Sequence, residues 1–256
     1  MKLTEFFNMN PEVAVAFSGG VDSAYLMYMA QKCAKRMQAY YVKSAFQPQF
    51  ELDDATRLAE SLGVKMTIIR LDVLADENVR MNPPKRCYYC KKKIFTAIRE
   101  AAFADGFQVL LDGTNASDDV ADRPGMVALR ELAVLSPLRL CGLTKQDVRR
   151  LSKEAGLFTW DKPAYACLAT RIPFGQAIDE GLLRRTEQAE GYLASLGFRD
   201  FRVRSLDDCA RIQVKAEQMP LLMERREVII NELKKTYKAV LLDLEARDGQ
   251  CFETFA

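Results

Sequence analysis

Val13-Ala14-Val15-Ala16-Phe17-Ser18-Gly19-Gly20-Val21-Asp22-Ser23 is the stretch on which the reading of this chain turns. An apolar run of strand character ends at Ser18, turns on two glycines and passes straight into a helix-like segment. Such a strand–turn–helix offers several backbone N–H groups to an oxyanion, and the helix N-terminus adds a favourable dipole. Adjacent glycines permit the tight turn and let a phosphate approach the backbone. Ser18 and Ser23 can add hydroxyl donors, while Asp22 can hold a magnesium ion or brace the turn. An ordinary turn with Asp22 and Ser23 as helix caps is the plainer alternative, but the whole pattern fits a nucleotide better. No Gly-x-x-x-x-Gly-Lys occurs, so this is not the common P-loop with its own lysine.

Outward from this turn, apolar strand-like runs alternate with helical patterns as far as about residue 155. Strands are predicted at 12–17, 39–43, 65–71, 109–111 and 133–135, and helices at 22–35, 52–62, 94–104 and 144–155. Residues 72–92, with Pro83-Pro84, read as irregular. The alternation predicts an α/β fold: a doubly wound, mostly parallel sheet with ligands at the carboxyl ends of its strands. Ser18, Gly19 and Gly20 end one such strand, and Asp112 and Gly113 another, so one nucleotide cleft is expected at both. After about Gly175 the pattern changes to a helix at 180–196, strands at 202–204 and 210–214, a helix at 217–233 and a strand at 239–244. The expected division is a nucleotide-binding domain at 1–174 and a smaller α+β domain at 175–256 for substrate binding or oligomerisation.

The 256 residues are 49% hydrophobic and 28% charged, the make-up of an ordinary globular protein. No apolar stretch is long enough to span a bilayer and no signal-peptide core opens the chain, so a cytoplasmic protein without a membrane partner is expected. A formal charge of +2 gives little long-range attraction to nucleic acid. Histidine is absent, so a metal site must rest on cysteine and carboxylate. An odd count of seven cysteines argues for reduced thiols rather than a disulfide framework. Cys33 and Cys141 read as small core or boundary residues.

Cys87-Tyr88-Tyr89-Cys90 is a C-x-x-C motif, and Cys167 is a third candidate thiol, all read as lying in loops. Zinc would want a fourth ligand, and neither a second C-x-x-C nor a histidine is present. Three thiolates would leave one iron of a [4Fe–4S] cluster without a protein ligand. A redox dithiol at Cys87 and Cys90, or a structural or nucleophilic Cys167, stays open on spacing alone. Arg202 and Arg204 alternate along a strand and so share a face, which suits either phosphate binding or a solvated surface. Arg171 lies close to Cys167 in sequence.

Ser-Gly-Gly-Val-Asp-Ser resembles the fingerprint of the pyrophosphate-loop ATP pyrophosphatases, which release AMP and pyrophosphate. With Asn82-Pro-Pro-Lys-Arg-Cys-Tyr-Tyr-Cys-Lys91 and Ala166-Cys-Leu-Ala-Thr-Arg-Ile-Pro173 added, the chain resembles the LarE family of sulfur transferases. Asp112-Gly-Thr-Asn115, Asp122-Arg-Pro-Gly125 and Arg202-Val-Arg204 with Ala210-Arg211-Ile212 extend the likeness over nearly the whole chain. The resemblance implies ATP and Mg²⁺ as cofactors and adenylation of a carboxylate of a pyridinium mononucleotide. Sulfur then replaces oxygen to give a thiocarboxylate for the nickel-pincer nucleotide. Some members sacrifice the cysteine matching Cys167. Cys87 and Cys90 set this chain apart and imply the branch in which Cys87, Cys90 and Cys167 hold a [4Fe–4S] cluster that delivers sulfide from a sulfide donor. The resemblance further implies Ser18, Gly19, Gly20, Asp22, Ser23, Asp112 and Gly113 at ATP, Arg202, Arg204 and Arg171 at the substrate phosphate, and a homo-oligomer. Gln213 stands where a glutamate is expected. The rival readings are a tRNA thiolation enzyme, which would want a broad basic face, and an ATP-dependent amide-forming ligase with structural cysteines.

Overall fold

The computed structural model describes residues 1–118 and 124–247. Two compact units share these: Met1–Val73 with Lys85–Lys162, and Leu74–Pro84 with the chain from Pro163 onward. The first opens with α1 (Leu3–Met9), β1 (Glu12–Ala16), α2 (Val21–Cys33), β2 (Arg36–Lys43), α3 (Gln49–Ser61) and β3 (Met66–Arg70). A short helix in the other unit, α4 (Glu77–Arg80), precedes α5 (Arg86–Ala104), β4 (Leu110–Leu111), α6 (Pro124–Glu131), α7 (Pro137–Leu140) and α8 (Lys145–Glu154).

The four strands are parallel in the order β3-β2-β1-β4, extended by one bridge between Leu111 and Leu135. Side chains alternate across the sheet. Val13, Val15, Ala39 and Tyr41 pack toward α1, α2, α3 and α8, whereas Ala14, Ala16, Tyr40 and Val42 pack toward α5. Both faces are covered, which is why the strands read as continuous apolar runs. Winding from β1 through β2 to β3 and back to β4 reverses direction at β1. The carboxyl ends of β1 and β4, where Ser18 and Asp112 begin their turns, therefore flank the switch point at which such sheets bind ligands.

The α/β reading holds, with local corrections. α5 begins at Arg86, so the irregular stretch stops at Lys85 and the C-x-x-C motif is helical. The signal was present: Arg86, Cys90, Ile94, Ile98 and Ala102 repeat every fourth residue and face inward. The predicted strand at 133–135 reduces to the single bridge, because Ala133 has φ 53° and closes α6. Gly63 and Gly156, at positive φ, end α3 and α8 as expected. Cys33 and Cys141 pack at the edge of the first core, and Cys251 lies outside the described residues.

The second unit has α9 (Glu180–Ser195), antiparallel β5 (Arg202–Leu206) and β6 (Cys209–Gln213), α10 (Met219–Glu224), α11 (Arg226–Leu233) and β7 (Ala239–Leu242), parallel to β6. The single helix predicted at 217–233 is broken: a 3₁₀ turn precedes Pro220 in the first turn of α10, and Arg225 separates α10 from α11. Residues 74–84 join this unit through Asn82, a buried residue at φ 53°. Its amide donates to the carbonyls of Ile172 at 3.3 Å and Pro173 at 2.7 Å, and its own carbonyl accepts from Gly175 N–H at 3.0 Å.

Candidate active site

The turn after β1 is closed by its own hydroxyls. Ser18 Oγ and Ser23 Oγ lie 3.0 Å apart, Ser18 N–H donates to Ser23 Oγ at 3.2 Å, and Ser23 Oγ donates to the Gly20 carbonyl at 3.1 Å. Gly20 precedes α2 and supplies no side-chain cap, so the helix opens on backbone donors. Gly19 sits at φ 77°, and a Cβ there would stand 3.2 Å from the Glu51 carbonyl. Only glycine makes this turn without strain.

The strand end at β4 is built into the same loop. A Cβ on Gly113 would stand 2.8 Å from the Ser23 nitrogen, so the missing side chain is what lets the two turns meet. Asp112 is buried, accepting from Ser136 Oγ at 2.5 Å and from Thr114 Oγ1. Asn115 Nδ2 reaches Asp22 Oδ1 at 3.3 Å, and its Oδ1 accepts from Ser117 N–H at 2.8 Å. The structure thus brings Ser18, Gly19, Gly20, Asp22, Ser23, Asp112 and Gly113 into one cluster.

Two lysines in this cluster escaped the sequence reading. Lys145, the first residue of α8, pairs through Nζ with Asp22 Oδ2. Lys162 pairs with Asp54 at 2.9 Å and lies 3.4 Å from the Gly19 carbonyl. A faint signal existed for Lys145: a cation in the first turn of a helix opposes the helix dipole and calls for another reason to be there.

Cys87 and Cys90 lie one turn apart at the start of α5, the former half-buried and the latter buried. Arg86 Nη2 lies 3.7 Å from Cys87 Sγ. Of the neighbouring lysines, Lys92 pairs with Glu131 at 2.9 Å and with Tyr88 Oη at 3.0 Å, a surface network tying α5 to α6. Asp122 and Arg123 lie outside the described residues.

Within the second unit, half-buried Cys167 caps a 3₁₀ turn, Leu168–Arg171. All three predicted arginines bind this segment's backbone. Arg202 donates to the Ala164 carbonyl at 2.8 Å, Arg171 to Ala166 at 3.0 Å, and Arg204 to Thr170 at 2.8 Å. Arg171 is buried against Glu190, at 2.7 Å from Nε and 3.0 Å from Nη2. Burial alone would raise the Glu190 carboxyl; Arg171, Tyr165 and the Val203 N–H overcome that and hold it below the ordinary value of 4.5. Burial, then Glu190, pushes the Tyr165 phenol well above the usual tyrosine range. Gln213, which stands where a glutamate is expected, accepts from Arg204 Nε at 2.6 Å and donates to Asp243 at 2.7 Å.

Two thiols one turn apart are soft donors of the kind iron–sulfur clusters and zinc take. The third, Cys167, belongs to the other unit. Among the described residues no three Cys, Asp or Glu side chains are grouped as a metal site.

Residues 12–80 match the family described as queuosine biosynthesis protein QueC. An uncharacterized protein of Synechocystis sp. is 35% identical over 95% of this chain and 92% of its own length. The pyridinium-3,5-bisthiocarboxylic acid mononucleotide synthase of Lactiplantibacillus plantarum is 33% identical over 94% of this chain and 89% of its own. More distantly, the tRNA-specific 2-thiouridylase MnmA of Thermotoga sp. is 26% identical over 57% of this chain and 52% of its own. A glycine turn shaped for an oxyanion, joined to near full-length similarity of this order, places the chain in the LarE family of the pyrophosphate-loop superfamily.

Proposed function

We propose that this protein is an ATP-dependent sulfur transferase acting on a pyridinium mononucleotide in nickel-pincer nucleotide synthesis. The observation that carries this is the similarity to the L. plantarum synthase over 94% of the chain. A carboxylate oxygen is a poor leaving group, and adenylation turns it into AMP, a good one. Ser18, Gly19, Gly20 and Ser23 would hold the departing pyrophosphate on backbone and hydroxyl donors, and Asp22 the Mg²⁺ that offsets its charge. Asp112 and Gly113 would fix the second strand end against the loop.

Cys87, Cys90 and Cys167 are the proposed ligands of a [4Fe–4S] cluster; the soft two-thiol face on α5 supports this reading. Such a cluster supplies sulfide as a nucleophile that needs no imidazole base, in keeping with a chain that has no histidine. Of the three arginines, half-buried Arg204 is proposed to take the substrate phosphate, while Arg171 and Arg202 hold the Cys167 segment in place. The smaller unit would then serve substrate binding.

The test is anaerobic purification with iron and sulfide assay, followed by incubation with pyridinium-3,5-biscarboxylic acid mononucleotide, MgATP and sulfide. Thiocarboxylate, AMP and pyrophosphate are the expected products, with about four irons per chain. An iron-free protein that transfers one sulfur and leaves dehydroalanine at 167 would replace the cluster by sacrifice. The MnmA similarity favours one second reading, tRNA thiolation, and thiolated tRNA without thiocarboxylate would establish that instead.

A further inference from the structure

We propose that Gln213 is a specificity-determining residue: its neutral amide fixes Arg204 without offsetting the arginine's charge, which is left for the substrate's phosphate. The inference rests on the phosphate role given to Arg204 above.

Arg204, Arg211 and Gln213 project from one face of the second sheet. Arg204 and Arg211 are register partners on β5 and β6, and Gln213 follows two residues beyond Arg211 on the same side. Val203, Ala210 and Ile212 point the other way, into the core of this unit. Two like charges directly opposite each other repel, so the pair favours an arriving anion. Hydrogen bonds on this face decide how its charges are shared. Arg204 Nε donates to Gln213 Oε1 at 2.6 Å, and Gln213 Nε2 donates to Asp243 Oδ2 at 2.7 Å. The same Asp243 oxygen stands 3.6 Å from Arg211 Nε. A guanidinium only donates and a carboxylate only accepts, so both partners dictate one orientation of the amide.

The Asp243 carboxylate therefore lies against Arg211, and a neutral link separates it from Arg204. Arg204 Nη1 also donates to a neutral acceptor, the Thr170 carbonyl at 2.8 Å. These two bonds fix the guanidinium plane, and neither cancels its charge. A glutamate at 213 would fix Arg204 equally well but as an ion pair. It would also set a second carboxylate against Asp243, where an amide N–H now donates. An anion approaching Arg204 would meet that added negative charge and bind less well. The amide is thus the difference between an arginine that is held and one that is neutralised. A doubly charged phosphate monoester gains most from this; a ligand without the phosphate loses nothing when the charge is cancelled.

Titration calorimetry on the full chain tests this with pyridinium-3,5-biscarboxylic acid mononucleotide and, separately, with its dephosphorylated nucleoside. Gln213→Glu should weaken mononucleotide binding about tenfold and make it less sensitive to salt, while nucleoside binding stays unchanged. The retained nucleoside affinity also shows that the variant is folded. Gln213→Met keeps the position neutral and should weaken the mononucleotide by about threefold or less. Unchanged mononucleotide affinity in Gln213→Glu, equal losses for both ligands, or an equal loss in Gln213→Met would overturn the charge role. A wild-type protein that does not prefer the mononucleotide overturns the phosphate role of Arg204, and this inference with it. A wild-type preference that Gln213→Glu preserves overturns the role of Gln213 alone.

Discussion

The Asp22–Lys145 and Arg171–Glu190 pairs have the same chemistry and opposite surroundings. The first lies at the rim of a glycine turn with side chains 35% and 20% exposed; the second has side chains 0% and 6% exposed. A part-exposed pair is screened by water and gains little from its own attraction. A buried pair has already lost its hydration, and either member alone would be a charge without water. The comparison separates residues available for chemistry from those spent on holding the chain. Arg171 and Arg202 fall on the second side, for their donors secure the backbone just before Cys167.

The sharpest way to break this contrast is Arg171→Ala. It leaves Glu190 buried without its cation and should destabilise the second unit by about 3–5 kcal/mol, read as a lower urea midpoint. A loss no larger than that of an exposed arginine would show that the pair is not structural. Next in size is Gly113→Ala, whose methyl meets the Ser23 nitrogen at 2.8 Å. Separating the two turns should cost about 1–3 kcal/mol and weaken MgATP binding together. Normal nucleotide affinity in that variant would detach β4 from the site.

Acid sharpens the same distinction. Glu190 titrates below 4.5 in the folded chain, so its stabilisation is complete above that value and is lost as pH falls through the depressed native value. Urea midpoints measured from about pH 6 to about pH 3 should fall steeply at the acid end, and Glu190→Gln should start lower but fall less. Equal slopes would place the acid sensitivity elsewhere. The smallest effect is expected from Ser18→Ala, which removes the 3.0 Å contact with Ser23 but no backbone donor. Stability should drop by about 1 kcal/mol, with a correspondingly modest loss of nucleotide affinity.

Much of this was legible in the residues. Most of the strand alternation, the Ser18–Ser23 turn and the capped helix at α8 are local patterns that appear where they were read, the strand at 133–135 excepted. The C-x-x-C motif misled because Pro83-Pro84 suggested an irregular segment, although the four-residue stripe through Cys90 already marked a helix. No local pattern announced that residues 74–84 would leave the first unit for the second; left-handed Asn82 with its three hydrogen bonds, and the Ile178 N–H donated to the Arg80 carbonyl at 2.8 Å, anchor that excursion.

By itself the sequence determined the sheet, the glycine turn and the inventory of thiols, since propensity, periodicity and turn chemistry act over a few neighbouring residues. Only tertiary structure decided that Lys145 serves Asp22, that Gly113 must be bare beneath Ser23 and that Arg171 belongs to Glu190. Those choices depend on which atoms the folded backbone brings within a few ångströms, and distance along the chain carries no record of that.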